Sequence, residues 1–472
     1  MSSKINLQTC EYARKSSIFQ DNQLICFNCD KDNTIIINLI NGLADVIDRN
    51  LETKLKNNKF EDIQPDIIEC LISRNFLFWT KDEYINYLKH IETKVNEYEI
   101  KECPNYVFIP TYDCNLQCSY CYQKANFIQR NVELDQCVDE FFKFISEQTR
   151  KLEIENHSKY RNDEIVITLM GGEPLLIENR ELIKKFVYKC RDSGYMYNIV
   201  TNGLTIKEYN EIINTPNLTS VQLTLDGNMQ THDSRRMRKN GDGTYHIIKN
   251  SIKLLLDSNI NVDLRINVDK DNIFKLPSLA HEIQQFFNYP NFNPYIFLLE
   301  DEGCMGKKNV MEDYEALSLI YELAKKHKVL KQINIAYIGR ELVESIFDDV
   351  PFYPALRKCA SSKNQYLFDL YGGIYKCWWG IGLSHYKINP DNSLLLDSLW
   401  KLRKISMIKK CRLCKFRYLC GGGCVGRMIN NSFTVSSQGG QCHDFEKLLN
   451  VAIKENYHER IKADEIHDFY TT

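Results

Sequence analysis

Residues 111–123 read TYDCNLQCSYCYQ, with three cysteines at C-x3-C-x2-C spacing directly after the apolar run NYVFIP at 105–110. Three thiolates from one short loop can ligate three irons of a [4Fe-4S] cube and leave the fourth iron open to a non-protein ligand. An open coordination position belongs to a catalytic metal site, whereas the protein itself closes a structural one. On spacing alone the alternative is a zinc site that borrows its fourth ligand from elsewhere. The surrounding chain has to decide between them.

At 472 residues the chain exceeds the usual span of one core, so two or three domains are expected. Its 60 basic and 62 acidic residues leave a net charge of −2, which gives no electrostatic reason to expect nucleic acid or an anionic membrane as main partner. The start MSSKINLQTCEYARKSS has no apolar core behind its basic residues, and no run of 18 apolar residues occurs. A cytoplasmic location is expected. In a reducing compartment the 18 cysteines read as metal ligands or redox groups rather than disulfides. Cys114, Cys118 and Cys121 form one tight group, and Cys359, Cys377, Cys411, Cys414, Cys420, Cys424 and Cys442 a second, looser one.

From 104 onward β-like runs alternate with amphipathic stretches: NYVFIP, EIVITLM, YNIVTN, SVQLTLD, VDLRINV and YIFLLE. Between the first two, Val138, Phe141, Phe142 and Ile145 recur at helical spacing. Such alternation predicts an α/β fold, a parallel sheet of βα units either open or closed into a barrel, with ligands at the carboxyl ends of the strands. Before it, QLICFNC and NTIIINLI read as a hairpin around DKDN. LADVIDRNLETKL and QPDIIECLISRNF read as helices, and KDEYINYLKHIETKVNEYEI as a helical connector. After about 355 periodicity fades and cysteine, glycine and aromatic residues dominate, so bound metal is the expected source of stability.

The motif at 114–121, with Tyr120 before its last cysteine, resembles that of the radical S-adenosylmethionine (SAM) enzymes. In that family SAM chelates the open iron, and its reductive cleavage releases a 5′-deoxyadenosyl radical that abstracts hydrogen from the substrate. Four further stretches match the family in order. LMGGEPLL supplies Gly171, Gly172, Glu173 and Pro174, where the resemblance implies close backbone approach to SAM and a carboxylate for its ammonium. IVTNG supplies Thr201, Asn202 and Gly203. LTLDGNMQTHDSRR supplies Thr224, Asp226, Gly227, His232, Asp233 and Arg235, matched to an S/T-L-D-G…H-D-x-x-R pattern near the SAM ribose and carboxylate. LRINVD supplies Arg265 and Asn267. Each of these is an ordinary turn or hairpin signal if met alone.

The C-terminal cysteines are similar to those of the SPASM domain, which binds two auxiliary [4Fe-4S] clusters in radical SAM enzymes that modify peptides. By motif position, the resemblance implies Cys411, Cys414, Cys420 and Cys442 on an outer cluster. Cys359, Cys377 and Cys424 would hold the inner one, with a fourth position left for another protein ligand or a substrate thiolate. CRLCKFRYLCGGGC (411–424) then becomes a seam between two cubes, with Gly421 to Gly423 making the bend. Cys26 and Cys29 read as half-buried small hydrophobes, and Cys304, beyond the sixth strand-like run and within reach of the active-site mouth, as a surface or core residue.

The resemblance therefore implies a partial (βα)6 radical SAM barrel at 101–345, preceded at 1–100 by a winged-helix-like unit and linker helix that recognises a precursor peptide. A SPASM domain follows at 346–472. It implies three [4Fe-4S] clusters, SAM, a precursor peptide with a leader segment, and a reductant such as flavodoxin or ferredoxin. The activity implied is an intramolecular crosslink, thioether or carbon–carbon or carbon–oxygen. Formylglycine generation of the anaerobic sulfatase-maturase type, and epimerisation, are the enzymatic alternatives; a multi-cluster electron carrier or binding protein is the non-enzymatic one. Sulfatase maturases carry an Asp after the second SPASM cysteine, whereas Cys377 is followed by Trp378 and Trp379.

Overall fold

The computed structural model describes residues 18–20, 24–123, 134–299, 309–348, 350–383, 386–388, 400–424 and 442–461; Cys304 lies outside them. Near the N-terminus, strands β1 (Leu24–Asn28), β2 (Asn33–Asn38) and β3 (Ala44–Asp48) form an antiparallel sheet in that order. The β1–β2 turn closes because Asp30 Oδ1 accepts the N–H groups of Asp32 (2.8 Å) and Asn33 (2.7 Å). The stretch LADVIDRNLETKL, expected to be one helix, divides into β3 and helix α1 (Arg49–Lys56). The division falls at Asp48, whose carboxylate accepts the Leu51 N–H at 2.6 Å and caps the helix. Helix α2 (Pro65–Ser73) starts with proline, and α3 (Lys81–Lys101) is capped by Thr80, which accepts the Glu83 N–H.

Six expected strands appear in order: β4 (Asn105–Ile109), β5 (Val166–Leu169), β6 (Met196–Val200), β7 (Leu218–Thr224), β8 (Val262–Val268) and β9 (Phe292–Leu298). All are parallel to their neighbours. Helices α4 (Leu134–Asn156), α5 (Arg180–Ser193), α6 (Ile206–Ile213), α7 (Met229–Arg235), α8 (Tyr245–Asp257) and α9 (Leu276–Ile283) lie in the connections. Strand interiors such as Val107, Phe108, Ile167, Leu169, Leu264 and Ile266 are fully buried, because helices cover a sheet of this kind and leave its strands no wet face. Past β9, helix α10 (Asp313–Lys326) leads to β10 (Asn334–Ala336), which adds in parallel at one edge. Helix α11 (Arg340–Phe347) follows.

At the other edge, β11 (Gln365–Asp369) pairs in parallel with β4, Ile109 opposite Asp369, and β12 (Ile374–Tyr375) turns back antiparallel. The nine-strand order is therefore β10-β9-β8-β7-β6-β5-β4-β11-β12. The segment ahead of Cys377 thus grows from the strand next to the one ahead of Cys114, and Tyr366, Leu367 and Phe368 share the main core.

The N-terminal sheet is covered on both faces. Ile36 and Ile47 pack with Leu55, Ile68 and Leu71 of α1 and α2. Ile25, Phe27, Ile35 and Ile37 pack with Leu448, Leu449 and Ile453 of the last helix, α12 (Phe445–Ile461), and with Phe416 and Leu419. Helix α3 is tied to the cysteine-rich part: Glu99, 3% exposed, accepts the N–H groups of Leu356 and Arg357 and pairs with the Arg357 guanidinium at 2.9 Å. Cys26 and Cys29 belong to these apolar clusters, and burial pushes both thiols up to about 11, as fits small hydrophobes. Among the described residues no helix is long and apolar enough to cross a membrane.

Candidate active site and iron–sulfur centres

The loop carrying Cys114, Cys118 and Cys121 leaves the carboxyl end of β4 and is held from two sides by backbone. On one side GGEP docks on it: Gly172 N–H donates to Thr111 O (3.0 Å) and Glu173 N–H to Asp113 O (2.8 Å). A Cβ on Gly171 would lie 2.4 Å from Thr111 O, and one on Gly172 would lie 2.3 Å from the carbonyls of both Tyr112 and Asp113. Both glycines thus make room for the backbone of the cysteine loop. On the other side Gln117 N–H donates to Met237 O (2.9 Å) and Ser119 N–H to Arg235 O (3.0 Å), fastening the loop to the end of α7 and the chain just beyond it.

Glu173 is 1% exposed and its carboxylate is taken up by the protein. Thr201 Oγ1 (2.6 Å) and Leu175 N–H (2.9 Å) donate to Oε1, and Asn202 N–H (2.6 Å) donates to Oε2. Burial raises its pKa, and these donors oppose the rise. Glu173 joins GGEP to TNG, so its expected role toward the SAM ammonium rests on whatever acceptor capacity Oε2 retains. Asn202 Nδ2 donates to Asn115 Oδ1 (2.7 Å) and lies 3.9 Å from Cys114 Sγ, which also receives the Leu116 N–H at 3.4 Å. Burial, then the Glu173 carboxylate, push the Cys114 thiol up to about 12. A buried thiolate needs a cation or metal to hold its charge, while the two N–H groups aimed at the sulfur suit the deprotonated form.

Tyr120 points into the protein. Its hydroxyl donates to Asp226 Oδ2 and accepts from Arg236 Nη1 (2.8 Å) and Asn267 Nδ2 (3.1 Å). Asn267 also receives Arg265 Nε (2.8 Å), and its N–H donates to Asp226 Oδ1 (3.3 Å). Arg235 lies over the Tyr120 ring at 5.1 Å and binds Asp269 at 2.9 Å. One network thus gathers Tyr120, Asp226, Arg235, Arg265 and Asn267, with Thr224 opposite Arg265 in the β7–β8 register. Arg236 is the residue missed by the sequence reading. Counted from His232, the H-D-x-x-R spacing falls on Arg236, and it is Arg236 that meets Tyr120 and feels the charge of Cys118. Arg235 Nε and Nη2 and Arg236 Nε are buried with no hydrogen-bond partner. Arg235, Tyr120, Ser119 and Asp269 line a 380 Å³ cavity at the carboxyl end of the sheet, a size that suits a small ligand.

His232 serves the scaffold. It is fully buried; Nδ1 accepts the Asp226 N–H (3.2 Å) and Nε2 faces Thr244 Oγ1 at 3.1 Å. Because Thr244 Oγ1 donates to Arg236 O, it accepts from Nε2, which fixes the neutral tautomer. Burial and the neighbouring Arg236 lower its pKa from 6.5 to about 3. With the folded pKa below the unfolded one, stability is complete above pH 6.5 and declines as pH falls toward 3. By pH 5 the loss amounts to about 2 kcal/mol. His232→Asn, which retains an acceptor for Asp226, is expected to remove that slope in urea unfolding followed from pH 7.5 to 5; an unchanged slope contradicts the assignment.

The second cysteine group falls into two neighbourhoods. Cys377 is raised by burial and then by Cys359 and Cys424, so these three are neighbours. Cys420, raised to about 11 by burial, feels Cys411, Cys442 and Cys414. Gly421, Gly422 and Gly423 have φ of +57°, +93° and +72°, three successive left-handed residues. Lys358 N–H donates to Gly421 O (3.2 Å), which brings Cys359 against the bend. Arg403, 7% exposed and also missed, donates to Gly422 O (3.0 Å). Burial lowers its pKa, while Cys359, Cys411, Cys424 and Cys420 act the other way, so this guanidinium lies between the two sets. Among the described residues no three His, Cys, Asp or Glu side chains converge as one ion would need. A cube spreads its thiolates over separate irons and asks for no such convergence.

The first loop and the Cys377 loop also meet. Tyr112 Oη (2.8 Å) and Tyr375 Oη (3.0 Å) both donate to Asp369 Oδ2, and the Tyr122 and Trp379 rings lie 4.5 Å apart. Trp378 turns away, donating to Gln365 Oε1 at 3.1 Å.

Residues 105–248 match a family model described as a 4Fe-4S single cluster domain. The chain is 23% identical to a cysteine-type anaerobic sulfatase-maturating enzyme of Clostridium novyi, across 66% of this chain and 85% of that protein. It is 26% identical to the sporulation killing factor maturation protein SkfB of Bacillus subtilis, across 50% of this chain and 52% of that one. Among solved structures it shares the fold of anSMEcpe with bound AdoMet and Kp18Cys peptide (TM-score 0.54, 15% identity, 76% of this chain and 98% of that one). It also shares the fold of Streptococcus suis SuiB bound to precursor peptide SuiA (TM-score 0.50, 17% identity, 90% and 98%). The resemblance to radical SAM enzymes that mature proteins and peptides is borne out.

Proposed function

We propose that the chain is a radical SAM peptide maturase with three [4Fe-4S] clusters, in three units at 1–100, 101–345 and 346–472. The observation that carries this reading is a three-cysteine loop at the carboxyl end of a parallel sheet, flanked by GGEP, TNG and the Tyr120 network, with seven further cysteines in two neighbouring sets. Cys114, Cys118 and Cys121 would hold the first cluster, Cys359, Cys377 and Cys424 the inner, and Cys411, Cys414, Cys420 and Cys442 the outer. Bound there, the reduced first cluster would supply the electron that cleaves SAM to the 5′-deoxyadenosyl radical, which takes hydrogen from the peptide.

The chain's own residues prepare this chemistry. Leu116 N–H and Asn202 Nδ2 stabilise the Cys114 thiolate, and Glu173 fixes Asn202. Arg235 Nη2 and Arg236 Nε, buried without a hydrogen-bond partner, suit an anionic group such as the SAM carboxylate, while Arg235 Nε faces Asp226 at 3.6 Å. The edges of the β1–β3 sheet suit a leader segment added as a further strand. The Tyr122 and Trp379 rings, 4.5 Å apart, bring the first loop against the one that carries Cys377. A small one-electron carrier such as flavodoxin or ferredoxin would supply the reductant. The product we favour is an intramolecular crosslink, since the auxiliary clusters offer a sink for the electron released on bond formation.

Formylglycine generation is the second reading, favoured by the relatedness to sulfatase-maturating enzymes. Against it, Trp378 and Trp379 stand where a carboxylate base would follow Cys377. Anaerobic coexpression with precursor-sized open reading frames adjoining its gene separates these outcomes by peptide mass. Loss of two hydrogens per event supports a crosslink, thiol-to-aldehyde conversion selects the second reading, and unchanged mass with altered stereochemistry selects epimerisation.

A further inference from the structure

Arg357 and Arg403 are both 7% exposed, and an arginine keeps its charge wherever it is placed. A guanidinium taken out of water needs a counter-charge, because burying one unpaired is strongly unfavourable. Arg357 has its counter-charge in Glu99, whose carboxylate lies 2.9 Å away. Arg403 has nothing of that kind. Among the described residues it forms no ion pair with a carboxylate, and its Nη2 donates to a backbone carbonyl, Gly422 O, at 3.0 Å. A carbonyl dipole does not balance a whole charge.

What surrounds Arg403 is cysteine. Gly422 lies in the bend between Cys420 and Cys424. That bend rests on the chain leading into Cys359, where a Cβ on Gly421 would lie 2.4 Å from Lys358 N. The segment carrying Arg403 is fastened to the same chain: Ile405 N–H donates to Leu356 O (3.1 Å) and Arg357 Nε to Lys401 O (2.8 Å). Arg403 is held where the bend meets the approach to Cys359. The charges it feels there are those of Cys359, Cys411, Cys424 and Cys420, two from each C-terminal group. As neutral thiols these would leave the guanidinium uncompensated, whereas metal-bound thiolates carry the missing charge.

We propose that Arg403 is the shared counter-charge of the inner and outer clusters and raises the reduction potential of both. This rests on the reading of Cys359, Cys377 and Cys424 as inner ligands and of Cys411, Cys414, Cys420 and Cys442 as outer ones. Each electron taken up adds one negative charge to a cluster, with no proton moved, and a fixed positive charge beside it favours that reduced state. Because the guanidinium is buried, salt and water screen the attraction little. Arg403 therefore makes both clusters easier to reduce, as an acceptor of the electron released on crosslinking has to be.

The test is a redox titration of the reconstituted full chain, followed by low-temperature electron paramagnetic resonance, on the wild type, Arg403→Gln and Arg403→Lys. The glutamine keeps an N–H donor for Gly422 O and removes the charge; the lysine keeps the charge and gives up the planar fork. In Arg403→Gln the ratio of reduced to oxidised form at a given applied potential should fall at least about tenfold for both auxiliary signals, a downward shift of about 59 mV for one electron. Arg403→Lys should recover most of that shift. The first cluster's signal, the one that changes when SAM is added, should stay in place in both variants. Iron should remain near twelve per chain. Iron lost in Arg403→Gln and restored in Arg403→Lys also supports the counter-charge. Unshifted auxiliary potentials in Arg403→Gln with iron intact overturn the proposal. Equal shifts or equal iron loss in the two variants overturn it as well, since the guanidinium would then act as a staple of the bend. A wild type holding only about four irons refutes the three-cluster reading itself, and the role of Arg403 falls with it.

Discussion

Cys118→Ala is expected to abolish SAM cleavage: 5′-deoxyadenosine formed by the dithionite-reduced protein should fall by more than about a hundredfold, beyond what loss of an outer hydrogen bond does at metal sites. On the three-cluster proposal, bound iron should fall from about twelve to about eight per chain, because one cube loses a ligand. The loop around Cys118 is fastened by the backbone bonds of Gln117 and Ser119 to Met237 and Arg235, and of Gly172 and Glu173 to Thr111 and Asp113. None of these uses the Cys118 side chain, so the alanine should leave the fold and the other two cysteine sets in place. Cys29→Ala serves as comparison, since that thiol is packed among aliphatic side chains. Nucleoside formation that survives in Cys118→Ala, or iron lost equally in Cys29→Ala, would refute the assignment of the first loop.

What sequence could and could not announce follows from how local each signal is. The parallel strands were legible because burial on both faces demands continuous apolar runs such as NYVFI and VITL. The strand-end motifs were legible because each sits within a few residues of its own strand. β3 was lost because ADVID places aspartates at Asp45 and Asp48, and its one well-buried residue, Ile47, fits a helical period with Leu51 and Leu55 as well as it fits a strand. Asp48 was the informative residue, as an N-cap that ends the strand and begins the helix.

The contacts that assemble the site were not legible at all. Tyr120 meets Arg236 across 116 positions, and Tyr112 meets Asp369 across 257. Arg403 lies beside cysteines of both C-terminal groups, and nothing in its neighbours LRK marks it as the buried member. Arg236 alone had a local signal, its count from His232. At the glycines, sequence shows that room is needed and not what fills it; the backbone of the cysteine loop lies where a Cβ would go.

That distinction gives Gly172 a sharper consequence than a ligand contact would. If Gly172 made room only for SAM, Gly172→Ala would weaken SAM binding and leave an iron-loaded, stable protein. The added methyl instead meets the carbonyl oxygens of Tyr112 and Asp113, both at 2.3 Å, and both are backbone atoms that no rotamer change can move aside. The same two residues lead into Cys114 and, through the Tyr112 hydroxyl, reach Asp369 beside the inner set. Relief therefore requires the cysteine loop to lift from GGEP, breaking the bonds from Gly172 to Thr111 and from Glu173 to Asp113. Overpacking of this kind costs about 1–3 kcal/mol, and loss of two buried backbone hydrogen bonds adds roughly another 1–3 kcal/mol. We expect Gly172→Ala to lose about four irons and nearly all nucleoside formation while unfolding at lower urea, whereas Pro174→Ala, two residues further on, keeps its iron. Iron retained in Gly172→Ala with only a raised KM for SAM would show that the glycine faces the cofactor after all.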